Sequence, residues 1–378
     1  MTERLCRVHC NGASPTERMP NRSIFRDLEI APVVEDPMEF QTVRSSATGR
    51  NGPKFRARDW VEVKTPREIA ETLDADGTTD GLPFMPEMLE FCGRRFQVQR
   101  LAEKTCVEFP GGTYKIREFR NNDVVLLGGL RCPGTRHDGC QRLCMIFWKT
   151  AWLRKVELDQ PPTCVAPHEY EELGARLKTM SGPARYCCQA TELARATIPL
   201  TRKRILLKCY YDVRSGSRGF FEMVWLILAP LWRKTTSQIP RRRLLGNLTR
   251  TPVGNLNLQP SELAVIKSES EIAQTLDARG RNRGLVCDLG MSQYSGGTYK
   301  VQSRLERMIS ESSGEMLRVE STVILEGLNC LCWRVLGGCP RQDFMYWREV
   351  WLERAECPSE QTGRDSNPRL ILPATAEK

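Results

Sequence analysis

Histidine is scarce in this chain, with three in 378 residues. Any imidazole-based metal site or His-centred catalytic apparatus has few members to draw on. No run of eighteen apolar residues occurs, which excludes a membrane-spanning helix by length. The opening MTERLCRVHCNGASPTERMPNRS has neither the apolar core nor the small-residue cleavage pattern of a secretory signal, so a cytoplasmic chain is expected. Also missing are a G-x-G-x-x-G turn after a strand, a Walker loop, H-E-x-x-H and G-x-S-x-G. No catalytic set can be assembled, and a non-enzyme is the favoured expectation.

What is abundant is cysteine, at sixteen residues. In a chain kept in a reducing compartment these read as thiols or metal ligands, not disulfides. The glycosylation sequons at Asn21 and Asn247 lose their meaning by the same logic. Hydrophobic content of 40% with 27% charge is ordinary for a folded chain. The net charge of +10 is concentrated in the middle, where sixteen Lys or Arg face eight Asp or Glu between residues 157 and 260. A nucleic-acid reading must rest on that segment.

The chain says nearly the same thing twice. EIAETLDADG at 68–77 returns as EIAQTLDARG at 271–280, and an offset of 203 also places Val63 on Ile266, Met88 on Met291 and Val98 on Val301. After a longer loop in the first copy, LLGGLRC at 126–132 matches ILEGLNC at 324–330, and FWKTAWLRK at 147–155 matches YWREVWLER at 346–354. The unit is about 95 residues long, a duplicated domain and not a solenoid repeat. Each copy opens on an alternating strand, WVEVK or LAVIK, followed by a helix that starts at Thr65-Pro66-Arg67-Glu68 or Ser268-Glu269-Ser270-Glu271. Both starts fit the S/T-x-x-E capping box, and Gly77 ends the first helix where a positive φ is cheap. Short strands and glycine punctuation then predict a mainly β, α+β chain. Two small SH3-like barrels are expected, joined by a partly helical middle. The expected divisions are an N-terminal extension over 1–58, partly disordered, and copy one over 59–156. A basic connecting segment over 157–260, copy two over 261–356 and a disordered tail over 357–378 complete them. The tail's GRDSNPR can be encoded by the opposite strand of a transfer-RNA T-arm, which predicts a dispensable end.

The stretches DWVEVKTPREIAETLDADGTTDGLPFMPEML, FCGRRFQVQRLAEKTC, LRCPGTRHDGCQRLCMIFWKTAWL, CQATELARA, NLNLQPSEL and CPRQDFMYWREVWLERAE resemble an uncharacterised family of bacterial proteins. They span roughly residues 59–355. The resemblance implies a bacterial, non-secreted, two-copy protein and carries no activity with it.

Chemistry concentrates in one cluster. Cys132, Cys140 and Cys144 lie in CPGTRHDGCQRLC, with Cys106 arriving from a preceding strand. Four thiolates around a Gly- and Pro-rich turn suit a structural zinc; an iron–sulfur cluster and unliganded buried thiols are the alternatives. The C-x7-C-x3-C spacing matches neither paired zinc knuckles nor the common ferredoxin patterns. Copy two keeps Cys330 and Cys339 but has Ile309 and Asp343 where Cys106 and Cys144 would fall, so one metal per chain is expected.

His137, inside the cluster loop, is expected at the surface, and Cys187 with Cys188 is expected to serve packing. Asp74, Asp76 and Asp80 read as a polar helix exit, because a calcium loop would need a closing Glu. Trp148, Trp152, Trp347 and Trp351 are expected in the cores in preference to a nucleic-acid stacking platform. The apolar stretch 220–232 is too short to span a bilayer and is expected to dock between the barrels in preference to lying on an anionic membrane. The function these features favour is that of a scaffold engaging a protein partner not identified by the sequence. A redox metal component and a nucleic-acid binder are the alternatives.

Overall fold

Alternation sets the strands and two capping boxes set the helices that follow them. The computed structural model describes residues 54–355, apart from 111–112, 158, 160, 162, 226, 229–243, 289 and 331–339. Expectations for the tail, for most of the N-terminal extension and for Cys339 fall outside the described residues.

In copy one the strands of three or more residues are β1 (Trp60–Val63), β2 (Arg95–Leu101), β3 (Thr105–Phe109), β4 (Thr113–Phe119), β5 (Val124–Arg131), β6 (Met145–Lys149) and β7 (Leu153–Lys155). The connecting segment adds β8 (Thr197–Pro199). Copy two supplies β9 (Leu263–Ile266), β10 (Thr298–Arg304), β11 (Arg307–Ile309), β12 (Met316–Arg318), β13 (Thr322–Asn329), β14 (Phe344–Arg348) and β15 (Leu352–Arg354). The first sheet runs β6-β5-β2-β1-β7 and the second β14-β13-β10-β9-β15, the same order of equivalent strands. Registers match as well. Trp60 faces Gln97 as Leu263 faces Lys300, and Val125 faces Trp148 as Val323 faces Trp347. The chain is mainly β with a few helices, in two barrel-like halves.

Helix α1 (Pro66–Ala70) begins at Thr65, whose hydroxyl accepts from the Glu68 amide while the Glu68 carboxylate accepts from the Thr65 amide. Ser268 and Glu271 repeat this at the helix of copy two, Glu269–Ala273. Reciprocal capping satisfies amides that a helix start otherwise leaves without partners. Asp74 then closes the helix exit by accepting from the amides of Asp76 and Thr78, and Asp277 does the same for Arg279 and Arg281. These carboxylates are occupied in turns, as the polar helix exit requires.

Trp148, Trp152, Trp347 and Trp351 are fully buried. Trp148 packs edge-on against Phe84 and Phe91, and Trp347 against Tyr294. Their rings are core and present no face for a base to stack on. The connecting segment is not a free linker. Helices α2 (Pro167–Gly174) and α3 (Gln189–Ala196) deliver Leu173, Ala190, Leu193 and Ala196 to the first core, and β8 extends the β3–β4 hairpin. Phe55 joins the same core from the segment expected to be an extension.

Helix α4 (Arg202–Arg214) is fastened to copy one through buried charges. Lys208 meets Glu118 at 2.9 Å, and Asp212 meets Lys104 at 3.2 Å. Its other face is bare. Leu206, Leu207 and Tyr210 are exposed, and in the helical residues that follow Phe220 is 63% and Phe221 84% exposed. The expected docking of 220–232 between the barrels fails for these two rings; Met223 alone of the described residues in that stretch is buried. The reason is positional: α4 is held by its charged face, and Phe220 and Phe221, which follow it, lie on the outside. Residues 226 and 229–232 lie outside the described residues. Among the described residues no helix is long and apolar enough to cross a membrane.

Candidate functional site

The loop carrying the cysteines is closed at its base by the Cys132 amide donating to the Cys144 carbonyl at 2.8 Å. Inside it the amides of His137 and Gly139 both donate to the Gly134 carbonyl at 3.0 Å. Gly134 has φ +67°, and a Cβ there would stand 2.0 Å from the Cys140 carbonyl oxygen. No side chain fits, so glycine is obligatory for this turn.

The loop reaches across to copy two. The Gln141 amide donates to the Arg307 carbonyl at 3.0 Å, and the Gln141 side-chain oxygen accepts from the Glu306 and Arg307 amides. Cys140 Sγ accepts from the Ile309 amide at 3.4 Å. The thiol loop is therefore a junction between the copies as well as a feature of the first.

His137 is not at the surface. It is 1% exposed, with Nδ1 2.6 Å from Glu87 Oε1 and Nε2 3.0 Å from the Cys187 carbonyl oxygen. A carboxylate on one side and a carbonyl on the other favour a ring that donates from both nitrogens, the imidazolium form. Burial pulls its pKa down, but the hydrogen bond and charge of Glu87 outweigh it and hold His137 above its ordinary value. Burial likewise opposes ionisation of Glu87, and His137 overcomes it to hold that carboxyl below its ordinary range. With both nitrogens engaged, His137 is unavailable as a ligand or as a base for a thiol. Its function is to pin the loop to the turn at Glu87 and to the residues preceding α3.

A cavity of about 30 Å³ opens beneath the loop, room for a single ion or one or two waters. Cys132, Cys140 and Cys144 line it, and so does Cys188. Cys106 is not among its lining residues. Where Cys106 was expected, the wall is Ile309, its counterpart from the other copy. The reason is a crossed arrangement. Arg142 of copy one donates to the Ile309 carbonyl at 3.2 Å, while Arg341 of copy two donates to the Cys106 carbonyl at 2.9 Å. Each copy's β3-type strand thus faces the other copy's loop, and Cys106 faces Arg341. The sequence reading paired Cys106 with its own copy's loop, and no spacing rule could have indicated the exchange. The signal for Cys188 was present only as a Cys187-Cys188 pair expected to serve packing.

Burial pushes the Cys144 thiol up to about 12, although Arg142 pulls the other way, and it raises Cys132 and Cys188 as well. Thiols so shifted are protonated near neutrality and are poor nucleophiles. As they stand, no three His, Cys, Asp or Glu side chains among the described residues are gathered as a ready metal-ligand group. What the site offers is a small cavity whose wall includes four cysteines, three from the loop and Cys188 from the start of α3. Compared with protein-family models, with curated proteins and with solved structures, the chain gives no match.

Proposed function

We propose that the chain is a cytoplasmic bacterial interaction or scaffold protein of the duplicated-domain family, with two SH3-like halves and a structural metal, zinc first, at the loop of copy one. The observation that carries the interaction reading is the bare apolar face of α4 and the turn after it. Phe221 is 84% exposed and Leu206 63%, while each half closes its own core. Large apolar side chains in such company mark a surface that another molecule covers. Lys203 and Arg214, both exposed, stand on the same helix, so the partner is a protein with an acidic rim around an apolar patch.

The metal reading is supported by the three loop thiols that line one cavity and by their soft chemistry. A nucleic-acid reading is weakened by internal pairing in the basic middle. Arg204 and Lys208 meet Glu118, Lys178 and Arg195 meet Asp76, and Arg218 meets Glu222.

A photo-crosslinking residue placed at Phe221 tests the interaction reading in growing cells. A discrete protein adduct that disappears with Leu206→Glu supports it. Crosslinks confined to this chain, or to lipid, overturn it. Colour separates the metals, since an iron–sulfur cluster absorbs in the visible and zinc does not.

A further inference from the structure

We infer that Cys188, at the start of α3, completes the metal site with Cys132, Cys140 and Cys144, and that Cys106 has no part in it. The inference rests on the metal reading above and names its ligand set. Three of these thiols come from one loop, and a fourth is needed for a closed tetrahedral site, the form that structural zinc takes. Cys188 is the fourth thiol on the cavity wall.

Its position there is held from both sides. The next residue, Gln189, is buried and pairs with both backbone groups of Phe147: its side-chain oxygen accepts from the Phe147 amide at 2.8 Å, and its side-chain nitrogen donates to the Phe147 carbonyl at 2.8 Å. A glutamine used this way fixes the start of α3 in register with β6, three residues from Cys144. On the other side the Cys187 carbonyl accepts from His137, which lies in the loop three residues from Cys140. Two anchors thus bracket Cys187-Cys188 against the two ends of the thiol loop. The Cys188 amide donates to Thr191 Oγ1 at 3.0 Å, and the amides of Ala190 and Thr191 at the start of α3 face the Cys188 thiol and favour its thiolate.

Cys106 does not line the cavity: its carbonyl accepts from Arg341, which lines it, and Ile309, the counterpart of Cys106, stands on the wall. An ion at Cys132, Cys140, Cys144 and Cys188 would clip the connecting segment onto copy one, and the loop would close inward on it. Metal binding releases thiol protons, so burial of these groups makes retention steeply pH-dependent.

The test is metal content per full-length chain, purified after growth with added zinc, for wild type and for Cys106→Ser, Cys132→Ser, Cys188→Ser and Cys188→His. Expected are one zinc in wild type and in Cys106→Ser, none in Cys132→Ser or Cys188→Ser, and zinc regained in Cys188→His, which restores a ligand. The intensity of cadmium–thiolate absorption provides a second readout, with the full thiolate count in Cys106→Ser and one fewer in Cys188→His. Retention of zinc by Cys188→Ser with loss in Cys106→Ser overturns the assignment and leaves the metal reading standing. A zinc-free wild type overturns both.

Discussion

Arg142 and Arg341 hold equivalent positions in the two copies, and each donates to a backbone carbonyl of the other copy's equivalent strand, Ile309 at 3.2 Å and Cys106 at 2.9 Å. The symmetry then breaks at the carboxylates. Both guanidiniums converge on Glu311, at 3.0 Å and 2.8 Å, and the equivalent Glu108 receives neither in a hydrogen bond. Instead the Glu108 amide donates to Glu311 Oε1 at 2.9 Å. Burial raises the Glu108 carboxyl above its ordinary value; Arg142 opposes the rise and Glu311 adds to it.

Glu311→Gln is therefore expected to be severe and Glu108→Gln mild. The first leaves Arg142 buried with carbonyl partners only, whereas Arg341 keeps Asp343 at 3.0 Å. Removing one member of a buried ion pair costs about 3–5 kcal/mol. Glu108→Gln removes a carboxyl whose ionised form burial already disfavours, and is expected to change stability by less than about 1 kcal/mol. Urea unfolding of the two variants decides; equal losses would show that the copies share the load.

The His137–Glu87 pair gives stability with two pH limits. His137 is raised in the folded chain, so its contribution is complete below its ordinary value of 6.5 and is lost as pH rises through the higher folded value. Glu87 is lowered, so its contribution is present above 4.5 and is lost as pH falls through the lower folded value. His137→Ala should cost about 3–5 kcal/mol at pH 6 and less at pH 9, because it strands a buried carboxylate. Thermal melts across that range check this. A cost that does not change with pH would mean that the ring serves only as filler.

Glu103 titrates in the opposite sense to Glu87. Burial raises its carboxyl to about 8, Asp212 adds to the rise, and neither oxygen has a hydrogen-bond partner among the described residues. A raised acid favours the folded state while protonated, so its contribution declines from pH 4.5 upward and is gone above about 8. Glu103→Gln, neutral at every pH, should be more stable than wild type at pH 9 and nearly equal to it at pH 5. Should the two melt together at pH 9, the carboxylate is ionised at little cost and the burial argument fails.

Gly134→Ala should open the thiol loop. The Cβ would meet the Cys140 carbonyl at 2.0 Å with φ at +67°, so the chain must move. A loss of about 2–3 kcal/mol is expected from the strained turn, together with faster amide exchange at His137 and Cys140. Gly129→Ala, also at positive φ but with open space around its Cβ, isolates the backbone cost alone.

Local rules carried far in this chain. Both capping boxes, the alternating strands and the buried tryptophans follow from residues within one or two turns of each other. The candidate site did not follow in the same way, because its deciding contacts cross long intervals. His137 is buried by a carboxylate fifty positions earlier, and Cys140 is capped by an amide of the other copy. Nothing in CPGTRHDGCQRLC specifies either. The exposure of Phe220 and Phe221 is of the same kind: it depends on α4 being held by Glu118 and Lys104, whose positions come from strand pairing in copy one.

The crossed contact of Arg142 and Arg341 has the form of a dimer interface folded into one polypeptide. In a pair of identical subunits every interfacial substitution appears on both sides of the axis, so neither side can specialise alone. Joined in a single chain, the two sides are inherited separately. Here one thiol loop is capped by Ile309, while the strand facing the opposite loop presents Cys106. Tandem linkage lets two former equivalents acquire unlike chemistry at a fixed one-to-one ratio, with no need for a second gene product to be made in step.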